Sequence, residues 1–168
     1  HAEPVAGTCI TVAVEGRRPL VAEVQSLVSS TKMPSPRRAV SGLDSARLAM
    51  VLAVLDRRVA VKVSEADVYA ATVGGVRLSE PAADLAIALA VASASRDRPL
   101  PSGLVAVGEV GLAGEVRPVS AVARRLAEAG RLGFGRALVP VGSGPGPAGM
   151  TVTEVPDLGS ALRAAGLA

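Results

Sequence analysis

The chain has 168 residues and a net charge of +3, from 18 basic and 15 acidic side chains; it is long enough for one full core but too mildly charged to prove a nucleic-acid partner. Apolar residues make up 49%, yet Tyr69 and Phe134 are the only aromatics and there is no Trp, so the core must be assembled from Ala, Val and Leu. No apolar run reaches the ~18–20 residues of a membrane span, and the single Cys9 excludes an internal disulfide framework and fits a reducing cytoplasm.

The chain begins His1-Ala2-Glu3 without a positive, apolar leader, so residues 1–4 read as an N-terminal extension or cloning remnant and 5–168 as the domain. Val5–Val14 alternates as a strand that should bury Cys9. Leu20–Leu27 is a second strand, joined to the first through a Gly16 turn that carries Arg17 and Arg18. Ser29–Ser41, with Pro34 and Pro36, is expected to be a loop that leaves Lys32, Arg37 and Arg38 accessible. Asp44 or Ser45 caps a helix to about Asp56, with Leu48, Val51, Leu52 and Leu55 on one face. Val59–Val63 and Asp67–Val73 are expected to be strands. A second helix starts near Glu80, with Pro81 in its first turn and Glu80 and Asp84 at the positive end of its dipole.

Leu104–Val110 is the next strand, and a Gly111–Gly114 turn leads back into Glu115-Val116-Arg117. A third helix covers Ala121–Leu132. Arg136–Val141 and Met150–Val155 are strands around a Gly-rich turn, and Pro156–Ala165 is a terminal helix. Strands outnumber helices without strict alternation, which gives an α+β class in one domain.

Conventional cofactor devices are not expected. The Gly-rich segment 142–149 lacks the GK[ST] ending of a phosphate loop, and one His with one Cys cannot build a structural zinc site. A Ser nucleophile would need a Lys base, because there is no usable His. The only Lys residues are Lys32 and Lys62, far from Ser79 and Ser120 in sequence.

The stretch Pro81-Ala82-Ala83-Asp84, then Gly108-Glu109, Gly114, Pro118 and Arg124-Arg125, resembles the proteolytic domain of the Lon family. In that family a Pro-Ser-Ala-Gly motif carries the nucleophile and a later helix carries the Lys. Here Ala82 falls on the Ser position and Arg125 on the Lys position. Ala82 has no nucleophile, and an Arg cannot deprotonate to serve as a base. Asp84, in place of Gly, sets a carboxylate where oxyanion charge would develop. The wider series Glu15-Gly16-Arg17-Arg18-Pro19, Pro36-Arg37-Arg38, Gly42-Leu43-Asp44, Leu78–Ala86, Arg96-Asp97-Arg98-Pro99 and Gly108–Val119 is similar to the C-terminal Lon-like domain of the bacterial RadA (Sms) family.

That resemblance implies a Lon proteolytic-domain-like fold (ribosomal protein S5 domain 2-like), a homo-oligomer in the form of a hexameric ring, and a part in recombinational DNA repair and branch migration, with a recombinase as a further partner. It also implies that ATP, Mg and Zn belong to N-terminal domains outside this fragment, which is therefore expected to be no enzyme and to hold no cofactor. DNA contact is expected to be sequence-independent and mainly to phosphates, through Lys32, Arg37 and Arg38 first and Arg17 and Arg18 next; with so few aromatics, stacking on bases is not expected. The alternatives are a purely structural oligomerisation module and a Ser–Lys peptidase.

Overall fold

The computed structural model describes residues 3–168; His1 and Ala2, assigned above to an extension or remnant, lie outside them. Two long strands form its spine. β1 (Thr8–Glu15) turns through Gly16, whose φ of +61° suits a residue without Cβ, into β2 (Arg18–Ser30). The hairpin is antiparallel, with Thr8 opposite Gln25 and Glu15 opposite Arg18. On its far edge β2 pairs antiparallel with β4 (Ala66–Thr72), which carries the short parallel edge strand β3 (Arg38–Ser41). On the other side β1 pairs in parallel with β5 (Leu104–Ala106), followed by β8 (Arg136–Pro140) and β9 (Thr151–Val155), also parallel. The seven-stranded order is β3-β4-β2-β1-β5-β8-β9, and β6 (Glu109–Val110) with β7 (Val116–Arg117) makes a separate small hairpin. The α+β class holds, with a mixed sheet that is mostly parallel.

Side-chain alternation along the strands separates two layers. On one face, Cys9, Ala13, Ala22, Val24, Val68 and Ala70 pack beneath α1 (Ser45–Arg58), α2 (Asp84–Arg96) and α4 (Leu158–Ala164). On the other, Val12, Val105, Ala137 and Val139 meet Val122, Leu126 and Ala129 of α3 (Val122–Arg131). The Ala-rich composition has its use in α2, which is buried on every side from Asp84 to Ser93. Ala86, Ala88, Ala90 and Ala92 are fully covered and leave room for neighbouring elements to approach the helix closely.

Three sequence expectations change. The strand expected over Leu104–Val110 is split at Val107-Gly108 into β5 of the main sheet and β6 of the small hairpin. Val59–Val63 alternates like a strand, and Val61 and Val63 are buried, but no strand lies beside it. Val61 N–H donates instead to Leu55 O at 3.0 Å, and Val63 N–H to Asp56 Oδ1 at 3.2 Å, so the segment is an extended helix exit. Conversely, Arg38–Ser41 lies inside the expected loop yet forms β3, because β4 supplies a parallel partner that local sequence does not announce.

Cys9 is 2% exposed and burial pushes its thiol up to about 12, far from thiolate chemistry at neutral pH. A thiol reagent should therefore label it only after denaturation. Rapid labelling of the folded chain would contradict this packing.

Candidate functional site

The start of α2 is a clamp. Pro81–Ala83 forms a single 3-10 turn. Ala82 O accepts from Gly108 N–H at 2.9 Å, and Leu85 N–H donates back to Gly108 O at 3.0 Å. Position 108 has no room for a side chain, since a Cβ would meet Val116 Cγ1 at 2.9 Å.

Around this clamp Ala82 and Arg125, the two positions that the sequence resemblance singled out, are knitted into the scaffold. Ala82 is buried, and Arg125 is a fully buried guanidinium at 1% exposure. Arg125 donates to Glu80 Oε1 at 2.5 Å, to Val12 O at 2.8 Å and to Ser120 O at 3.0 Å. It therefore ties α3 to β1 and to the turn before α2. On the opposite side Asp84, equally buried, accepts Arg47 Nε at 3.1 Å, a second bond from Arg47 Nη2, and Val110 N–H at 3.1 Å. Burial pushes the Asp84 carboxyl up, against the opposing pull of the Arg47 fork and the Val110 amide. Asp84 raises the Arg47 guanidinium in turn. Glu80 and Asp84 thus make specific ion pairs in addition to sitting near a helix dipole. Nothing in the sequence marked Arg47 as a partner, because 37 residues separate it from Asp84.

The five basic candidates do not form one patch. Lys32 and Arg37 are exposed on the loop between β2 and β3. That loop is pinned: Thr31 N–H donates to Glu65 O at 3.0 Å, Met33 N–H to Thr31 Oγ1 at 3.1 Å, and Arg37 N–H to Asp67 Oδ1 at 2.6 Å. Arg38 turns its guanidinium onto Val63 O at 2.9 Å and onto Ala66 O, closing the loop base. Arg38 thus braces the loop through Nη1 and Nη2 while the residue itself stays exposed. Arg17 and Arg18 sit at the opposite end of β2, roughly 40 Å away at the usual rise per strand residue. The structure offers a basic loop at one end of the sheet and a basic turn at the other.

Residues 56–143 match the family described as subunit ChlI of Mg-chelatase. Over nearly its whole length the chain is also similar to proteins named DNA repair protein RadA. It is 52% identical to that of Mycobacterium tuberculosis over 95% of this chain and 33% of the relative. Against Pseudomonas aeruginosa identity is 49% over 96% of this chain and 36% of the relative, and against Escherichia coli 47% over 95% and 35%. The chain thus spans about a third of the length of these curated relatives.

The ChlI match corrects two sequence expectations. The fragment was expected to be no enzyme and to hold no cofactor; residues 56–143 instead belong with a family described by a subunit of the enzyme Mg-chelatase, so the exclusion of enzyme function and of nucleotide and Mg from this region is withdrawn. The described residues nevertheless do not fit either group. None of their His, Cys, Asp and Glu side chains gather in threes that could hold a metal ion. The Gly-rich segment 142–149 runs from β8 to β9 and opens no helix. Asp84, the deepest carboxylate, already has both oxygens engaged. No chemical step is assigned to nucleotide or metal here. By the match across residues 56–143, this chain belongs to the family described as subunit ChlI of Mg-chelatase, in a form shared with bacterial proteins named DNA repair protein RadA.

Proposed function

We propose that the chain is the Lon-like (ribosomal protein S5 domain 2-like) module of a RadA-type DNA repair protein, and that it joins copies into a hexameric ring and contacts DNA through phosphates. The similarity to proteins named DNA repair protein RadA over 95% of the chain supports the repair setting. The Lon-like reading draws on the sequence resemblance, which aligns Ala82 and Arg125 with the family's dyad; both are buried, and Arg125 is paired with Glu80. With no nucleophile at one position and a permanently charged guanidinium at the other, the Ser–Lys peptidase alternative has no chemistry to run on. Among the described residues no helix is long and apolar enough to cross a membrane, and a cytoplasmic setting is part of the same proposal.

The observation that carries DNA contact is the pinned loop with Lys32 and Arg37 exposed on it. Because its backbone is already fixed by Glu65 and Asp67, the two charges would meet a phosphate backbone at little ordering cost. Each phosphate neutralised releases counterions, so the contribution should be legible in the salt dependence. Duplex binding measured against salt for the parent chain and for a Lys32→Ala/Arg37→Ala variant should show lower affinity and a log–log slope shallower by about 2. Arg38→Ala should chiefly loosen the loop, lowering affinity through disorder. Equal affinity and slope in the double variant would remove this loop from the interface. Light scattering tests the ring, and a strictly monomeric chain would count against that part of the proposal.

A further inference from the structure

The sheet is covered unevenly. α1, α2 and α4 line one face, but on the other α3 packs against Val12, Val105, Ala137 and Val139 and reaches only the start of β2 at Val21, so the end of β2 and the strands β4 and β3 carry no helix on that face. By strand alternation that open half presents Leu27, Tyr69 and Ala39 in one cross-strand row and Gln25, Ala71 and Ser41 in the next. Leu27 is 64% exposed although it sits mid-strand, and the two rows line a cleft of about 340 Å³. The loop bearing Lys32 and Arg37 rises from the end of this same half, where Arg37 leads into β3 and hydrogen-bonds to Asp67, two residues before Tyr69.

We propose that the open half-sheet is a binding site for an unpaired nucleobase of single-stranded DNA, stacked on Tyr69, with its flanking phosphates held by Lys32 and Arg37. This rests on the DNA-binding reading above and specifies the form of DNA that the site takes. An aromatic ring on an exposed sheet, floored by small apolar side chains and rimmed by basic residues, has the chemistry of single-strand recognition, in which the π-face of any base supplies the contact. Tyr69 is half-buried between Leu27 and Ala39 in its row, and the small side chain of Ala71 in the next row leaves a cleft beside it. Ser41 and the Gln25 carbonyl oxygen offer a hydroxyl and an acceptor to base edges. Two carboxylates lie on this face, Glu23 accepting from Gln25 Nε2 at 2.7 Å and Asp67 from the Arg37 N–H at 2.6 Å; both keep their charge, which confines the phosphates to the Lys32 and Arg37 rim. The scarcity of aromatics argues against stacking only if they are spread through the core; here the sole Tyr stands on an open face.

That composition also provides the probe. With one Tyr and no Trp, intrinsic tyrosine emission reports on Tyr69 alone. Titration of the whole chain with oligothymidylate should quench it, whereas blunt duplex of equal length should quench it far less. Tyr69→Leu should weaken oligothymidylate binding roughly 5- to 150-fold, and Tyr69→Phe should restore most of it, with thermal melts of both variants checking the fold. If Lys32→Ala/Arg37→Ala weakens binding while Tyr69→Leu does not, and emission is unchanged, the stacking site is overturned and phosphate contact stands. If no DNA binds at all, both readings fall. A change of emission that follows protein concentration without DNA would mean that a second copy occupies the face, and would also overturn the proposal.

Discussion

Arg125→Ala is expected to be the most damaging single substitution among the residues singled out, at about 3–5 kcal/mol of stability. The guanidinium is at 1% exposure and donates to three acceptors on three separate segments, Glu80, Val12 and Ser120. Its removal strands those acceptors and leaves a cavity beneath α3, and each orphaned buried acceptor carries a desolvation penalty of about 1–3 kcal/mol. For a domain of this size the loss corresponds to a fall in melting temperature on the order of 10 °C. Lys keeps the charge but lacks the planar fork, so Arg125→Lys should recover only part of the loss. Because Glu80 is 30% exposed and can turn to solvent, Glu80→Gln should cost much less, and the double variant Glu80→Gln/Arg125→Met should cost less than the sum of the two single changes. Additive losses in urea unfolding would show that the pair is not coupled.

Arg47→Ala should come close behind, and its cost should depend on pH. Asp84 is buried at 1% side-chain exposure and Arg47 is its only cationic partner among the described residues. Removing Arg47 leaves a buried carboxylate with only the Val110 amide, which costs about 3–5 kcal/mol at neutral pH. Burial already raises Asp84 above its ordinary range in the parent chain, and loss of the guanidinium raises it further. A carboxyl whose folded pKa exceeds its unfolded value favours the folded state when protonated. That contribution is complete below the unfolded pKa of about 4 and is lost as pH rises through the folded value. The deficit of Arg47→Ala relative to the parent should therefore shrink on acidification, and Asp84→Asn should remove the pH dependence of the difference. A deficit constant across that range would mean that Asp84 is not the group left stranded.

Much of the local structure is legible in the chain. The Gly16 turn, the Asp44 cap, the 3.6-residue periodicity of Leu48, Val51, Leu52 and Leu55, and the Pro81 helix start all act within a few residues, so propensity and sterics express them directly. The candidate site was less legible. Lys32, Arg37 and Arg38 are all exposed as their loop composition implies, but nothing local separates Arg37 from Arg38, and only the carbonyls of Val63 and Ala66 recruit the guanidinium of the second as a clamp. Arg17 and Arg18 look like part of the same basic cluster until the full length of β2 is laid between them. Val61 and Val63 carry the strand period without a strand, because alternation records burial and a strand also needs a neighbour.

The Ala82 to Arg125 stretch shows where the boundary lies. The sequence by itself determined that Ala82 cannot be a nucleophile nor Arg125 a base, because the chemistry of an alanine methyl and a guanidinium is fixed by the residues. The all-round burial of α2 follows from composition too, since a helix of Ala, Leu, Ile and Val from Leu85 to Ala92 has no polar face to show water. Only the tertiary structure decided which partners surround these positions. Glu80 reaches Arg125 across 45 positions and Asp84 reaches Arg47 across 37, and such pairs are selected by packing because charges that lose water must find partners wherever the fold brings them. The same non-local geometry left the β4 and β3 end of one sheet face without a helix, with Tyr69 half-buried on it: coverage depends on where α3 comes to rest, and strand alternation alone cannot distinguish a face that meets a helix from one that meets solvent.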